Sequence, residues 1–144
     1  MRIIIIMLNK IYLEFSDIYQ NAKYEVLSCP QIVIAIGENN EHLDKLLMRN
    51  GAQTAALLTA WNPEGKKVSQ QENLKAMESL ELALNEIKLP FLPALGSDPK
   101  GAWKEESYLI LGVALDQAES LGRQFQQNAF VWIEICHGPR LIWP

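Results

Sequence analysis

The chain switches repeatedly between two hydrophobic periods, and these switches predict the order of its elements. Apolar residues three or four positions apart predict amphipathic helices, because such positions share one helix face. Short apolar or β-branched runs bounded by turn-forming residues predict strands. The predicted order is a helix over 9–22, strands over 23–27 and 31–36, a helix from Asn39 or Asn40 to Asn50, a strand over 54–60, a long helix from Ser69 toward Pro90, strands over 91–95 and 107–113, a helix around 115–125, and strands over 129–136 and 140–143.

Several residues predict where these elements begin, end or pack closely. Ser69 followed by Glu72 has the spacing of a capping box at a helix start. Gly51 suits the left-handed position after a helix, and Gly122 lets its helix approach a neighbour closely. Pro93 lacks an amide donor, so its strand is expected to lie at an edge of the sheet or to be irregular.

This order predicts one α+β domain over 1–144, with an α/β sandwich as the alternative, in which about four helices pack on a mixed sheet. Short links between neighbouring strands require antiparallel pairs. The apolar run Ile3–Leu8 has six residues, too few for a signal peptide core or a membrane span. Residues 1–8 are therefore expected to form an edge strand or to be a start extension, with Met7 as the alternative start.

Composition narrows the class of protein. Hydrophobic residues make up 49% and charged residues 21%, which excludes a disordered chain or a disulfide scaffold. The net charge of −4 disfavours nucleic acid as a partner. Two cysteines without regular spacing indicate a reducing compartment, so we expect a cytoplasmic protein without a membrane partner.

The first candidate site follows the predicted strand 54–60. Trp61 offers a stacking face and Asn62 offers both a donor and an acceptor. The next helix begins near Ser69, where free amides suit an anion. A tight turn, with Trp61 in the core and Asn62 bonded to the backbone, is the alternative.

The second candidate lies at the strand entry Glu105-Glu106-Ser107. A carboxylate here could serve as a general acid or base, and Glu106 is the candidate catalytic residue. Adjacent strand residues point to opposite faces, so only one of the two glutamates can face a given pocket. A solvated strand start is the alternative.

The third candidate is Gln127-Asn128, at the end of the last predicted helix, where the amides suit a polar ligand or bond the helix end. Cys136-His137 has no zinc-site spacing around it, so no metal site is predicted. No phosphate-loop, nucleophile-elbow or dinucleotide motif occurs, and the sequence therefore identifies no cofactor.

Short motifs stand at the junctions between predicted elements. In order they are Thr59-Ala60-Trp61-Asn62-Pro63, Ser69 with Glu72-Asn73, Trp103, Glu106-Ser107, and Gly122-Arg123-Gln124-Phe125-Gln126-Gln127-Asn128-Ala129-Phe130-Val131-Trp132. With these motifs the chain resembles a family of small bacterial proteins of unknown function, over roughly residues 12–143. Tyr19 and Tyr24 also match family positions, and Gln126 stands where the family usually carries glycine. The resemblance implies no activity.

The resemblance implies a function for the matched polar residues, because recurring polar residues at junctions serve binding more often than packing. If they share one end of the sheet, they line a pocket for a small polar or nucleotide-like ligand. The expected ligand-binding residues are Trp61, Asn62, Ser69, Asn73, Glu106, Ser107, Gln127 and Asn128.

An interaction or oligomerisation module without catalysis is the alternative function. The apolar segments Ile3–Leu8 and Leu141–Trp143 could each leave a strand edge open to pair with a second copy. Whether the protein is an enzyme stays open at this point.

Overall fold

The computed structural model describes residues 2–144, with side chains from Lys10 onward. The helices are α1 (Arg2–Gln20), α2 (Glu41–Arg49), α3 (Gln70–Glu86) and α4 (Leu115–Gln124), the strands are β1 (Lys23–Val26), β2 (Ile32–Ile34), β3 (Thr54–Leu58), β4 (Phe91–Ser97), β5 (Lys104–Leu111), β6 (Phe130–Glu134) and β7 (Arg140–Ile142), and a 3-10 turn covers Pro63–Gly65. This order matches the hydrophobic pattern, and it confirms the α+β class with helices packed on a sheet.

The seven strands form one curled sheet in the order β2-β1-β4-β5-β3-β6-β7. All six pairings between the described strands are antiparallel, which corrects the expectation of a mixed sheet. The reason lies in the crossovers. The helix α3 joins β3 to β4, and α4 joins β5 to β6, but in each case another strand lies between the two and pairs antiparallel with both.

The sheet separates two hydrophobic cores. The inner face packs against α2, through Leu43, Leu46 and Leu47. The outer face packs against α3 and α4 and buries Met77 and Leu80. The N–H of Gly37, after β2, donates to the carbonyl of Pro139, before β7, at 2.7 Å. This bond joins the loops beside the two outermost strands of the curled sheet.

Three predicted helix ends are confirmed. Asn40 caps α2 by accepting a hydrogen bond from the Leu43 N–H at 3.1 Å. Gly51 follows that helix with a φ of 65°. Ser69 caps α3 by accepting from the Glu72 N–H at 3.1 Å.

The other ends of α3 and α4 differ from the prediction. The helical spacing of the apolar residues predicts that Leu74 and Ile87 lie on the buried face of α3, but both are exposed. Asn73 takes the buried position in place of Leu74. The helix α4 begins at Leu115, with Ala114 as its N-cap rather than the Asp116 of an Asp116–Glu119 capping pattern, and the Gln117 side chain accepts from the Ala114 N–H.

Two strand predictions are wrong. Residues 2–8 are helical and continue α1, so they form no edge strand; Met1, the alternative start to Met7, lies outside the described residues. The strand β4 is interior, although it contains Pro93. The carbonyl of Pro93 accepts from the Leu27 N–H, and Leu27 lies just past the end of β1. The nitrogen of Pro93, which has no hydrogen to donate, faces the same side, where the pairing with β1 has ended.

Candidate functional site

A pocket lies at one end of the inner face, between α1 and the sheet, and we call it the Glu105 pocket. It comprises two adjoining cavities, one of about 40 Å³, which we call the inner cavity, and one of about 190 Å³, which we call the mouth. Tyr19, Trp103 and Glu105 line both parts. The remaining polar residues and the floor of the inner cavity are Tyr24, Thr59, Gly96, Ser107 and Gln127. The pocket therefore combines aromatic rings, hydroxyl groups and one carboxyl group.

The floor of the pocket is a row of residues that face each other across β1, β4 and β5. Tyr24 pairs with Gly96, and Gly96 pairs with Glu105. Directly opposed residues of antiparallel strands point to the same face, so the Tyr24 and Glu105 side chains flank a position without a side chain. A Cβ at Gly96 would lie 3.6 Å from the Tyr24 ring and 3.8 Å from the Trp103 ring. The pairing runs through Gly96 without a bulge, so the glycine leaves space rather than bending the strand.

Glu105 supplies the carboxyl group of the pocket. Its burial raises the pKa of this carboxyl from the ordinary 4.5 to about 7, against a hydrogen bond from the Asn62 side chain that lowers the pKa. Desolvation is the larger of the two effects, and it raises the pKa because it disfavours the charged form. A carboxyl group with such a pKa exchanges its proton near neutral pH.

Asn62 is held in place by a buried partner. It adopts a left-handed conformation (φ 45°) after β3, which asparagine tolerates better than most residues. Asn73, which is 2% exposed, accepts from the Asn62 N–H at 2.8 Å and donates its amide to Asn62 Oδ1 at 3.0 Å. The Val68 N–H donates to the same oxygen at 3.2 Å. With Oδ1 occupied twice, the Nδ2 group of Asn62 is left to donate to Glu105.

The roof of the pocket is the last part of α1. The rings of Phe15 and Tyr19 stack with centroids 5.4 Å apart. Gly65 (φ 73°) lies so close to this roof that a Cβ there would come within 2.5 Å of the Phe15 ring. The Tyr24 hydroxyl donates to the Tyr19 carbonyl at 2.8 Å, and the Asn128 amide donates to the Tyr19 hydroxyl at 3.3 Å. Thus β1, the 62–65 turn and the end of α4 all hold α1 over the pocket.

The exit of α4 brings Gln127 to the pocket. The N–H of Gln127 donates to the Gly122 carbonyl at 2.8 Å, and that of Gln126 donates to the Arg123 carbonyl at 3.1 Å. These two bonds form a Schellman motif, with Gln126 in the left-handed position (φ 55°) that glycine usually takes. The chain therefore turns sharply, and the Gln127 side chain donates back to the Trp61 carbonyl at 3.2 Å.

The structure sorts the predicted site residues into three groups. Asn62, Ser107 and Gln127 line the Glu105 pocket. Asn73 and Asn128 lie behind them and hold Asn62 and Tyr19, respectively. Trp61, Ser69 and Glu106 do not line it.

The three outlying residues have local roles. The Trp61 ring packs on the outer core, and only its carbonyl reaches Gln127. Ser69 is exposed and caps α3. Glu106 is exposed on the outer face, because strand alternation turns it away from its neighbour Glu105. The carboxyl group at the pocket is thus that of Glu105 and not that of Glu106, which corrects the choice made from the sequence.

Sequence analysis missed Glu105, Gly96 and Thr59 as pocket residues and did not assign Tyr19, Tyr24 or Trp103 to it. A usable signal existed for Glu105, which must share a face with Ser107 because the two are two residues apart on one strand. Gly96 also carried a signal, since a lone glycine in a strand marks a bulge or a close approach.

Three further observations concern the described residues. No group of three or more His, Cys, Asp and Glu side chains lies together in the part of the chain that the structure describes. Cys29 and Cys136 are free and exposed. Within residues 2–144, no helix is both long and apolar enough to cross a membrane.

Comparison with known proteins bears on the segment that builds most of this pocket. No curated protein and no solved structure matches the chain. Residues 58–130 match the model of DUF3293, a family described as protein of unknown function. That segment includes Asn62, Gly96, Glu105 and Gln127, whereas Tyr19 lies outside it. The match spans half of the chain and confirms the resemblance to a family without an assigned activity, so the protein belongs to the DUF3293 family.

Proposed function

We propose that this protein binds a small polar ligand in the Glu105 pocket. The observation that carries the proposal is the pairing of a partly buried carboxyl group with a position that has no side chain at Gly96, beside aromatic rings. The hydrogen bond from Asn62 offsets only part of the cost of this arrangement. Burying a carboxyl group costs free energy, and leaving a central strand without a side chain forgoes packing.

The size of the pocket favours a ligand smaller than a nucleotide. Sites for drug-sized ligands hold roughly 300–1,000 Å³. The inner cavity of about 40 Å³ and the mouth of about 190 Å³ both fall below that range. We therefore favour a compact polar molecule over the nucleotide-like ligand of the initial hypothesis.

Binding is a better proposal than catalysis for this site. A carboxyl group that titrates near neutrality suits a general acid or base. Nucleophilic catalysis additionally needs a hydroxyl or thiol activated by a neighbouring base. Ser107 bonds the Glu105 carbonyl, Thr59 bonds the Glu106 carbonyl, and the two histidines of the chain, His42 and His137, lie on α2 and the β6–β7 turn.

A thermal-shift screen of small metabolites tests the proposal. A ligand at 100 times its Kd adds about 2.7 kcal/mol of stability, which raises the Tm by roughly 5–10 °C for a chain of this size. Each hit is then measured on Gly96→Ala, which fills the floor, and on Glu106→Gln, which removes a carboxylate from the outer face. We expect Gly96→Ala to abolish the shift and Glu106→Gln to retain it. Ligands whose thermal shift is the same with Gly96→Ala as with the wild type, or a screen that finds no ligand, would refute the proposal.

Oligomerisation is the second candidate function, and an exposed apolar surface on α1 favours it. Leu13 is 79% exposed, Tyr12 49% and Ile18 44%. The strand β7 lies at an edge of the sheet, but it has only three residues, and Ile3–Leu8 is helical, so the surface of α1 carries this candidate. Light scattering after size exclusion, on the wild type and Leu13→Lys, decides this point. A dimer that Leu13→Lys dissociates supports the candidate, and a monomeric wild type excludes it.

A further inference from the structure

Among the side chains from Lys10 onward, none forms an ion pair with the carboxyl group of Glu105. The five ion pairs recorded among side chains from Lys10 onward all involve other acidic residues. Its hydrogen bond comes from the neutral amide of Asn62. When this carboxyl group ionises, no described basic side chain offsets its charge, so a ligand that brings a positive charge would gain most from the site.

The rings around the pocket favour the same sign of charge. The rings of Tyr24 and Trp103 each lie within 4 Å of the position that a Cβ would take at Gly96, and Tyr19 lines the same cavity from α1. The face of an aromatic ring is negative, so it attracts a cation within about 6 Å. The rings also exclude water, and the attraction between a cation and the Glu105 carboxylate strengthens in the lower local dielectric.

From these two observations, and resting on the proposed function, we propose that the ligand is a small organic cation with a primary ammonium group. The ammonium group lies in the inner cavity and donates to the Glu105 carboxylate, with its carbon chain in the mouth. The two cavity sizes fit this division, since about 40 Å³ holds a small head group and about 190 Å³ holds a short chain. A neutral ligand of the same shape would leave the carboxylate uncompensated.

A matched pair of probes tests the charge of the ligand. n-Propylammonium and 1-propanol have the same number of heavy atoms and differ in the positive charge. Each is titrated into the full chain at constant ionic strength and pH 8, and the indole N–H resonance of Trp103, assigned with Trp103→Phe, reports binding. We expect n-propylammonium to give a saturable change and 1-propanol to bind on the order of tenfold more weakly.

Two glutamine variants separate the pocket from the rest of the surface. Glu105→Gln is expected to weaken n-propylammonium on the order of tenfold and to leave 1-propanol unchanged, because only the ionic contact is lost. Glu106→Gln, on the neighbouring residue, is expected to match the wild type for both probes.

The pH dependence provides a second readout. Affinity for n-propylammonium is expected to rise from pH 6 to pH 8 as Glu105 ionises. Tyr19 of α1 and Tyr24 of β1, the other titratable groups that face the pocket, stay neutral over this range because burial raises the pKa of both. Glu14, which lies near Tyr19, is present in the wild type and in both glutamine variants, so it does not contribute to the differences between them.

The outcomes distinguish this inference from the proposed function. Equal binding of both probes, or ammonium binding that Glu105→Gln does not weaken, overturns the cation while the pocket stands. Binding of a neutral metabolite, sensitive to Gly96→Ala, without any binding of n-propylammonium has the same meaning. If neither probe and no metabolite binds the wild type, both proposals are overturned.

Discussion

Replacing Glu105 by glutamine should change how the stability of the protein depends on pH. The variant keeps the shape of the side chain and an oxygen that accepts from the Asn62 amide, but it cannot ionise. The folded-state pKa of Glu105 is raised, from 4.5 to about 7. Its contribution to stability is therefore fully present below pH 4.5 and is lost as the pH rises through 7.

The magnitude follows from proton linkage. Between pH 4.5 and 7 the folded chain holds a proton that the unfolded chain has released, so the free energy of unfolding falls by about 1.4 kcal/mol per pH unit. The whole loss is about 3 kcal/mol, of which about 2.5 kcal/mol falls between pH 5 and pH 8. Glu105→Gln should be close to the wild type in stability at pH 5 and more stable at pH 8.

Urea unfolding at pH 5, 6, 7 and 8 measures this difference. The other titrating groups are common to both proteins and cancel in the comparison. Glu106→Gln is the matched control, because Glu106 is exposed on the outer face, and its curve should run parallel to that of the wild type. A free-energy difference between Glu105→Gln and the wild type that stays constant from pH 5 to pH 8, within about 0.5 kcal/mol, would show that the carboxyl group is solvated, and the reasoning would fail.

Three further predictions concern the residues that shape the pocket. Gln126→Gly should stabilise the protein by about 0.5–1 kcal/mol in urea unfolding, because it relieves a left-handed glutamine and costs only part of that gain in the unfolded chain; a destabilised variant would contradict this. Asn73→Ala should lower the free energy of unfolding by about 2–4 kcal/mol, because it leaves the Asn62 backbone N–H without its partner and Asn62 Oδ1 with the Val68 N–H alone; a loss below about 1 kcal/mol would contradict it. Gly65→Ala should displace Phe15 and loosen α1, seen as faster hydrogen exchange over residues 10–20 with β3 and β5 unchanged; unchanged exchange in α1 would refute the close contact.

Much of the fold could be predicted because periodicity is a local signal. The changes between helical and strand spacing place the elements in the observed order, and Asn40, Ser69 and Gly51 mark helix ends through their own backbone chemistry. Position within the sheet is not local. Pro93 has the chemistry of an edge residue, yet the end of β1 beside it makes an interior position acceptable. Residues 2–8 are a short apolar run, whose spacing alone does not separate a strand from a buried helix.

The candidate site divides in the same way. Asn62, Ser107 and Gln127 were expected at one end of the sheet because each stands beside a strand end, and they line one pocket. Tyr19 reaches that pocket only through the docking of α1, for which its own segment carries no signal. The choice between Glu105 and its neighbour depended on which face of β5 is concave, and that follows from the curl of the whole sheet.

The contact between Gly37 and the β6–β7 turn bears on how the protein avoids aggregation. The outermost strands, β2 and β7, have only three residues each, which leaves few free backbone groups for an added strand. A Cβ at Gly138 would lie 2.7 Å from the Gly37 carbonyl oxygen, so the two chain segments touch backbone to backbone. This contact links the loop after β2 to the β6–β7 turn, beside the two outermost strands. The contact joins residues about a hundred positions apart, so it closes a long loop and should form late in folding. Until it forms, the edge strands of the partly folded chain stay open to pairing with other molecules.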